Sequence, residues 1–367
     1  MTARLPPCLP SPPGLKGRGT PVRIAHRFER ESREPFDDGW GTLDQQAALE
    51  TLPAATQVIE ERAKSLLARN DSPDVPFELS INPYRGCEHG CIYCYARPTH
   101  SYLNLSPGLD FETRIVAKVN AAERLEEELA KPSYRPSPVN IGSATDAYQP
   151  VERRLGITRQ VLEVLERCRH PYTIVTKSSG IERDLDLLAS AAARQQAWVS
   201  VSITTLDPAL ARKLEPRAAA PHRRLQTVRR LREAGVPVGV NVAPIIPFIN
   251  EPEIERIIEA AADAGAASIH YTVLRLPWEV DPLFQDWLAR HFPERAARVM
   301  AHVREMHGGR DYRAEFGKRM KGDGLWAQLV RQRVRQAAKR CGIEGAAPAL
   351  DTSAFVPPRR GRQQELF

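Results

Sequence analysis

From Phe77 onward, short apolar runs alternate with amphipathic segments of helical period. Short apolar runs predict buried strands, and apolar residues spaced three to four positions apart predict helices that bury one face. The predicted strands are Phe77–Ile81, Pro138–Gly142, Tyr172–Thr176, Trp198–Ile203, Pro237–Val242 and Ser268–Leu274. The predicted helices between them are Ala121–Ala130, Thr158–Arg167, Arg183–Arg194, His222–Ala234 and Pro252–Ala264. This alternation predicts an α/β fold with βα units around a parallel sheet, in a partial barrel over residues 76–280.

After Trp278 the pattern becomes helical and predicts a C-terminal extension over residues 281–344. Its predicted helices are Phe284–His291, Ala296–Met306 and Leu325–Arg340. The last of them interleaves apolar residues with Arg and Lys, which is typical of an amphipathic helix docked on the barrel. A face for nucleic acid is the alternative interpretation of the same basic residues.

The two ends of the chain lack a sustained period. Residues 1–40 are rich in Pro, Gly and Arg and predict a disordered basic arm, and the tail 345–367 is also predicted to be disordered. Gln45–Arg69 has helical spacing, so residues 41–75 are predicted to form a helical segment outside the barrel. The 367 residues suffice for one barrel with two flanking extensions.

Composition narrows the setting of the protein. No run of 18 uncharged apolar residues occurs, and the first residues lack the apolar core of a signal peptide. Of six cysteines, Cys8, Cys168 and Cys341 are scattered, which is not a disulfide framework, so we expect a reducing, cytoplasmic location. The net charge of +7 is compatible with an anionic partner but does not identify one.

The remaining cysteines, Cys87, Cys91 and Cys94, form a CxxxCxxC loop straight after the first predicted strand. Three thiolates this close together can each bind a different iron of a 4Fe-4S cubane, which leaves the fourth iron open to a small molecule. A structural zinc site needs four ligands, and no second cysteine pair follows, although His89 and His100 could complete such a site. The spacing therefore favours an iron-sulfur cluster.

Polar residues follow the other predicted strands, at the point where each strand ends. These runs are Ser143–Pro150, Thr176–Ser179, Ser200–Thr205, Asn241–Pro244 and His270–Arg275. The carboxyl ends of parallel barrel strands converge on one face, and buried polar groups need partners, so the runs predict a site. Individual members have simpler explanations: Lys177 could be solvated, Thr205 and Asp207 could cap a helix, and Arg275 could pair with an acidic loop residue.

With these residues in view, the chain resembles the radical S-adenosylmethionine (SAM) superfamily, in the branch that is similar to spore photoproduct lyase and is often described as DNA-repair-photolyase-like. The likeness covers residues 77–277 and rests on the loop Asn82–Tyr95, on Thr145–Asp146 and on Thr176–Ser178. It implies a partial (β/α)6 TIM-type barrel with a 4Fe-4S cluster and S-adenosyl-L-methionine as cofactors. The implied reaction is reductive cleavage of SAM to a 5′-deoxyadenosyl radical, with an electron donor such as flavodoxin or ferredoxin.

The resemblance also implies roles for particular residues. Cys87, Cys91 and Cys94 would bind the cluster, and Tyr93 and Tyr95 would bury it and contact the adenine of SAM. The candidates for the methionine and ribose portions of SAM are Ser143, Lys177, Ser202 and Asn241, with Ser200 as a substitute for Ser202. Tyr271 and Arg275 are the candidates for catalytic contact with substrate.

One departure from the resemblance concerns the end of the second strand. Spore photoproduct lyase has a hydrogen-donating cysteine there, whereas Ile141–Asp146 contains none. Reversal of a thymine dimer by the same return path is therefore not implied, and a different lesion or substrate fits equally well.

The chain ends in Gln363–Phe367, a QxxLF peptide after basic residues. It resembles the peptide with which bacterial repair proteins bind the polymerase sliding clamp, although an inert tail is an equal alternative. The leading hypothesis is a radical SAM enzyme that acts on nucleic acid as a repair-type lyase. The alternatives are a radical SAM enzyme that modifies a peptide, tRNA or metabolite, and a non-catalytic Fe-S or zinc module that binds nucleic acid.

Overall fold

The computed structural model describes residues 15–29, 55–343, 345 and 347–358. Residues 1–14, 30–54, 344, 346 and 359–367 lie outside this part of the chain. Most of the predicted basic arm, the first residues of the predicted N-terminal helix and the clamp-binding peptide Gln363–Phe367 are among them.

The main sheet confirms the parallel partial barrel. The strands of the described residues are β1 Gln57–Glu61, β2 Leu67–Arg69, β3 Leu79–Ile81, β4 Tyr84–Arg85, β5 Arg114–Lys118, β6 Val139–Ile141, β7 Tyr172–Thr176, β8 Ala197–Ser202, β9 Val238–Ile245 and β10 Ser268–Val273. Seven of them form one sheet in the order β10-β9-β8-β7-β6-β3-β2. Strands β3 and β6 to β10 are parallel, and β2 is antiparallel at the edge. The six predicted strands are thus the six parallel ones.

Helices connect these strands and cover one face of the sheet. Those of nine residues or more are Ala121–Leu129, Ile157–Arg167, Leu185–Ala193, Pro221–Glu233, Ile254–Asp263, Val280–His291, Pro293–Met306 and Gly324–Arg340. Shorter helices are Asp110–Thr113, Glu152–Leu155 and Pro208–Leu214, and the 3-10 helices are Arg97–Leu103, Ser179–Asp184 and Glu251–Glu253. No helix in the described residues has both the length and the apolar composition needed to cross a membrane.

The strand register separates an apolar face from a polar one. Ile174, Val199 and Val201 are fully buried on the face that the helices cover. The opposite face lines the barrel interior, where Ser200 lies beside Gly239 and Ser202 lies beside Asn241 in the β8–β9 pairing. Because alternate strand residues point to opposite faces, the polar positions of neighbouring strands line up across the interior.

The last helix, Gly324–Arg340, docks on the barrel as its amphipathic pattern predicts. Val330 and Val334 are buried, and the Arg333 guanidinium pairs with the carboxylates of Glu251 and Glu255. Leu329 stays 48% exposed, so the apolar face is narrower than the sequence indicates.

The helical prediction for residues 41–75 is wrong within the described part of the chain. Gln57–Glu61 and Leu67–Arg69 are strands, and β1 pairs with β5 in a second sheet of order β1-β5-β4. The β-branched residues Val58 and Ile59 lie opposite Ile115 and Val116. Such side chains favour a strand when a partner strand is available, and this overrides the helical spacing.

The disorder prediction is wrong for the parts of both ends that the structure describes. In the N-terminal arm, Thr20 and His26 are buried. In the tail, the Asp351 amide donates to the Gln195 carbonyl at 2.9 Å and the Val356 amide donates to the Cys168 carbonyl at 2.8 Å. Both segments are therefore packed on the barrel.

Phe355 anchors the tail, with its ring centroid 5.6 Å from that of Tyr134 and 5.4 Å from that of His170. We expect Phe355→Ala to lower the free energy of unfolding by about 1 kcal/mol, because the aromatic contacts are lost. Urea denaturation measures this, with the 51% exposed Val356 changed to Ala as the control. Equal stability of wild type and Phe355→Ala would show that the tail does not pack there.

Candidate active site

The cysteine loop leaves the carboxyl end of β3 and turns sharply at two glycines. Gly86 has φ +80° and Gly90 has φ +67°, values that L side chains rarely adopt. A Cβ at Gly86 would lie 2.8 Å from His100 Cε1, and one at Gly90 would lie 2.6 Å from Glu112 Oε2. Both positions therefore require glycine for geometry and for space.

The thiols of this loop lie near one another in a largely buried part of the structure. Cys87 and Cys91 are buried, and Cys94 is half-buried. Burial raises the pKa of all three thiols, and the pKa of Cys87 is raised further by Asp146 and by the neighbouring Cys91 and Cys94. Iron is the kind of partner that stabilises such thiolates, because metal binding replaces the proton on each sulfur. The three thiols therefore fit an iron-sulfur cluster.

Each histidine that could complete a zinc site has one ring nitrogen in contact with another group of the protein. His89 Nδ1 lies 3.3 Å from Asp146 Oδ2, and His100 Nε2 lies 3.0 Å from the carbonyl oxygen of Arg114. In the part of the chain that the structure describes, no three Cys, His, Asp or Glu side chains are grouped to hold one metal ion. A cubane has a different requirement, because each thiolate binds its own iron.

A buried ion pair holds the loop in shape. The Arg97 guanidinium donates to the Cys91 carbonyl at 2.9 Å, to the Gly108 carbonyl at 3.0 Å and to the Glu112 carboxylate. Glu112 also accepts from the Gly19 amide at 2.9 Å, which brings in the N-terminal arm. Arg97 and Glu112 are both fully buried, so each charge depends on the other for compensation.

Asp146 connects the loop to two strand ends. Its carboxylate faces His89 and accepts from Thr176 Oγ1 at 2.8 Å and from the Lys177 amide at 2.7 Å. Burial raises the pKa of Asp146, but His89 and the hydrogen-bond donors outweigh burial and hold it at about 2. The carboxylate is therefore ionised and fixes the ends of β6 and β7 against the cysteine loop.

Glu88 makes a second connection between the cysteine loop and the rest of the barrel. Its Oε2 accepts from the Val151 amide and its Oε1 from Thr56 Oγ1, both at 2.6 Å. Its own amide donates to Gln149 Oε1 at 2.9 Å. The segment after β6 is thus tied to the loop at several points.

A second buried ion pair, Glu215 with Arg224, holds Tyr93. The Tyr93 hydroxyl donates to Glu215, whose carboxylate also accepts from Thr204 Oγ1 at 2.5 Å. Burial raises the pKa of Glu215, whereas Arg224 and Lys177 lower it, for a result of about 2. This network fixes the position of Tyr93 in the cysteine loop, and its burial of the cluster stays a prediction.

The Lys177 ammonium lies near the thiols. Its Nζ is 5.8 Å from the Tyr93 ring centroid, and its charge lowers the pKa of Cys91 and Cys94 against the effect of burial. A half-buried cation beside the cluster pocket suits a carboxylate ligand.

Tyr95, Ser143 and Arg275 come together at the rim of the site. The half-exposed Tyr95 donates its hydroxyl to the Ser143 carbonyl, and Ser143 Oγ accepts from Asn82 Nδ2 at 3.0 Å. The Arg275 guanidinium lies 4.8 Å from the Tyr95 ring centroid. This cation–π contact joins the loop after β10 to the cysteine loop.

The three predicted SAM-binding residues on the interior face, Ser200, Ser202 and Asn241, differ in position along their strands. Ser200 lies deeper, where its hydroxyl accepts from Trp198 Nε1 at 3.2 Å. Ser202 and Asn241 pair one step closer to the carboxyl edge, where Asn241 is half-buried. Ser202 and Asn241 are therefore placed for a ligand at the barrel mouth, and Ser200 is engaged by Trp198.

The position of Tyr271 does not match its predicted role. It pairs with Val242 on the face that the helices cover, and Lys321 Nζ lies 3.5 Å from its ring centroid. Its side chain is directed away from the polar interior, because His270, the preceding residue, occupies the interior position. We therefore correct the prediction that Tyr271 contacts substrate.

Sequence reasoning missed the charged residues that support the site, namely Glu88, Arg97, Glu112, Glu215 and Arg224. Their partners are distant in the chain or belong to the backbone, so no local spacing indicates them. Arg97 and Glu112 are buried together with their neighbouring segments, which only the folded structure shows.

Comparison with known proteins identifies the family. The sequence pattern of the radical SAM superfamily matches residues 81–261, which include the cysteine loop and most of the parallel strands. The chain belongs to the radical SAM superfamily. This radical SAM enzyme accordingly uses a 4Fe-4S cluster and S-adenosyl-L-methionine, in agreement with the three neighbouring thiols.

Relatives and solved structures extend the comparison. An uncharacterized protein of Mycobacterium tuberculosis is 38% identical over 288 residues, which cover 77% of this chain and 81% of that protein. A protein of Pseudomonas phage M6 named radical SAM Nalpha-GlyT isomerase is 24% identical over 59% of this chain and 44% of its own length. A spore photoproduct lyase mutant has the same fold, with a TM-score of 0.55 at 16% identity over 86% of each chain.

We expect Glu112→Gln to lower the free energy of unfolding by about 3 kcal/mol, because Arg97 is left buried without its counter-charge. The loss of loop shape should also lower the iron bound per protein after anaerobic reconstitution. Urea denaturation and iron analysis measure the two effects.

The matched control for this variant is Glu123→Gln, in the exposed pair of Arg62 with Glu123. It should change stability by no more than about 0.5 kcal/mol. Equal effects of the two variants would contradict the supporting role of the buried pair.

Proposed function

We propose that this radical SAM enzyme acts on nucleic acid in a lyase-type repair reaction. The observation that carries the proposal is the convergence of three thiols, the Lys177 ammonium and the polar interior at the mouth of an open barrel. The nucleic-acid substrate is supported by the fold shared with spore photoproduct lyase, one structure of which binds a dinucleoside spore photoproduct. The net charge of +7 is consistent with a polyanionic substrate.

The residues divide into cluster ligands and groups that position SAM. Cys87, Cys91 and Cys94 would hold the cluster, which together with SAM supplies a 5′-deoxyadenosyl radical. Lys177 would bind the SAM carboxylate, and Ser202 and Asn241 would donate to its hydroxyl groups. Tyr93 and Tyr95 would shield the site from water, and Arg275 would meet an anionic group of the substrate.

The other described cysteines do not offer a hydrogen donor at the mouth. Cys168 ends the helix Ile157–Arg167 under the tail segment, and Cys341 ends the last helix. Once the radical has taken a hydrogen atom from the substrate, the product radical must regain one from another donor or from 5′-deoxyadenosine. Without a cysteine at the end of the second predicted strand, a lesion or substrate other than the one that spore photoproduct lyase repairs fits equally well.

A second candidate function is an isomerase-type rearrangement, which the name of the phage relative favours. Both reactions begin with removal of a substrate hydrogen atom and differ in which bond changes next. A flavodoxin or ferredoxin as electron donor, a clamp contact through Gln363–Phe367 and a cytoplasmic location stay predictions.

We expect Lys177→Met to raise the dissociation constant for SAM about tenfold, because a charge-assisted hydrogen bond to the carboxylate is lost. Equilibrium dialysis of the anaerobically reconstituted protein measures the constant, and the iron content should stay unchanged. The exposed Lys131, changed to Met, is the control. An unchanged constant would remove Lys177 from the SAM site.

The substrate class is tested by anaerobic incubation with SAM, dithionite and a panel of damaged or intact DNA, RNA and peptides. We expect nucleic acid to increase the formation of 5′-deoxyadenosine, measured by chromatography, because a bound substrate consumes the radical productively. The Cys87→Ala/Cys91→Ala/Cys94→Ala variant should form none.

Two outcomes of this experiment contradict the proposal. Stimulation by peptides alone would move the substrate to another class. Activity retained by the triple cysteine variant would show that the loop does not hold the cluster.

A further inference from the structure

Three exposed aromatic rings surround one arginine beside the site. Phe28, Tyr102 and Trp278 are 48%, 71% and 61% exposed, respectively. The Arg27 guanidinium carbon lies 4.6 Å from the ring centroid of Phe28, 5.2 Å from that of Tyr102 and 4.5 Å from that of Trp278. We call Arg27, Phe28, Tyr102 and Trp278 the aromatic patch.

A buried carboxylate fixes the aromatic patch to three segments of the chain. Glu279, which is 1% exposed, accepts from the Arg27 amide at 3.0 Å and from Arg27 Nη1 at 2.9 Å. Ser101 Oγ donates to the same carboxylate at 3.4 Å. The N-terminal arm, the 3-10 helix after the cysteine loop and the loop after β10 therefore meet at this point.

This meeting point lies at the open side of the barrel. The sheet is open between its edge strands β10 and β2, and β3, the first parallel strand, lies next to β2 and does not pair with β10. The segments that follow them carry Tyr102 and Trp278 respectively, and Arg275 on Tyr95 joins the same two segments nearer the cysteines. The aromatic patch thus borders the way into the site.

The chemistry of the aromatic patch favours unpaired nucleobases. Exposing large aromatic rings to water costs free energy, and Arg27 covers only part of their surface. Its charge is largely offset by Glu279, so the patch offers π faces more than positive charge. Unpaired bases stack on aromatic rings and guanidinium planes, whereas paired bases inside a duplex have no free faces.

We propose that the aromatic patch binds unpaired nucleobases of the substrate strand by stacking, next to the nucleotide that enters the barrel. This inference rests on the proposed nucleic-acid function and names the form of substrate that the site takes: a single-stranded or locally unpaired segment.

The test is binding of a fluorescein-labelled 15-nucleotide single strand to the reconstituted holoenzyme, measured by fluorescence anisotropy at several salt concentrations. We expect Tyr102→Ala/Trp278→Ala to weaken binding about tenfold or more, because base–aromatic stacking is lost. The slope of log affinity against log salt should stay unchanged, because no phosphate contact is removed.

The control is Leu325→Ala/Leu329→Ala, which removes exposed apolar residues from the last helix. It should bind the strand with wild-type affinity. Substrate-independent cleavage of SAM and iron content should be normal in both double variants, which shows that each is folded.

Three results would overturn the proposal: wild-type affinity in Tyr102→Ala/Trp278→Ala, equal affinity of wild type for single strand and for blunt duplex, or no binding of single strand by wild type. If the aromatic patch binds peptides and not nucleic acid, the wild type will show no binding of the single strand.

The two proposals can fail separately. If the patch variant binds normally while nucleic acid still stimulates 5′-deoxyadenosine formation in the wild type, the patch proposal fails and the function stands. If the patch variant loses binding but no nucleic acid stimulates 5′-deoxyadenosine formation, the catalytic function fails and the binding surface stands.

Discussion

The buried ion pair of Arg97 with Glu112 is the interaction on which the rest of the site depends. A loop that brings three thiols together leaves buried backbone carbonyls in need of donors, and Arg97 donates to those of Cys91 and Gly108. Removing two charges from water costs several kcal/mol per ion unless each is paired and fully hydrogen-bonded. The pair is therefore a poor source of stability by itself, and its value lies in defining a single loop shape.

Other buried carboxylates extend this order from the loop to the barrel. Glu88 ties the loop to the segment after β6, Asp146 ties it to the end of β7, and Glu215 orients Tyr93 through a second arginine pair. Each carboxylate is held by donors from different segments, so the strand ends and the loop are fixed relative to one another. The protein can thus have the thiols and the polar groups of the strand ends in place before either cofactor binds.

The two sides of the barrel mouth are built differently. Where strands pair, the carboxylates of Glu88, Asp146 and Glu215 hold the mouth together. On the open side, between β10 and the β3–β2 edge, it is bridged by the cation–π contacts of Arg275 and Arg27 and by the ion pair of Arg27 with Glu279. Radical chemistry requires exclusion of water, and a nucleic-acid substrate such as the one proposed above would require an opening. A mouth that is tightly ordered on one side and bordered by exposed rings on the other accommodates both requirements.

The sequence by itself determined the six parallel strands, the helices between them and the cysteine loop, because these follow from local periodicity and from a spacing with a specific chemical use. Prediction from the sequence was wrong where the interacting partner is distant in the chain. Gln57–Glu61 is a strand only because Arg114–Lys118 lies beside it. Tyr271 faces the helices because of its strand register. Only the tertiary structure decided which charges pair in the interior, as for Glu215 with Arg224, and that Arg27 gathers three rings from separate segments. The physical reason is that buried charges and stacked rings select partners by three-dimensional proximity, which the order of residues along the chain does not record.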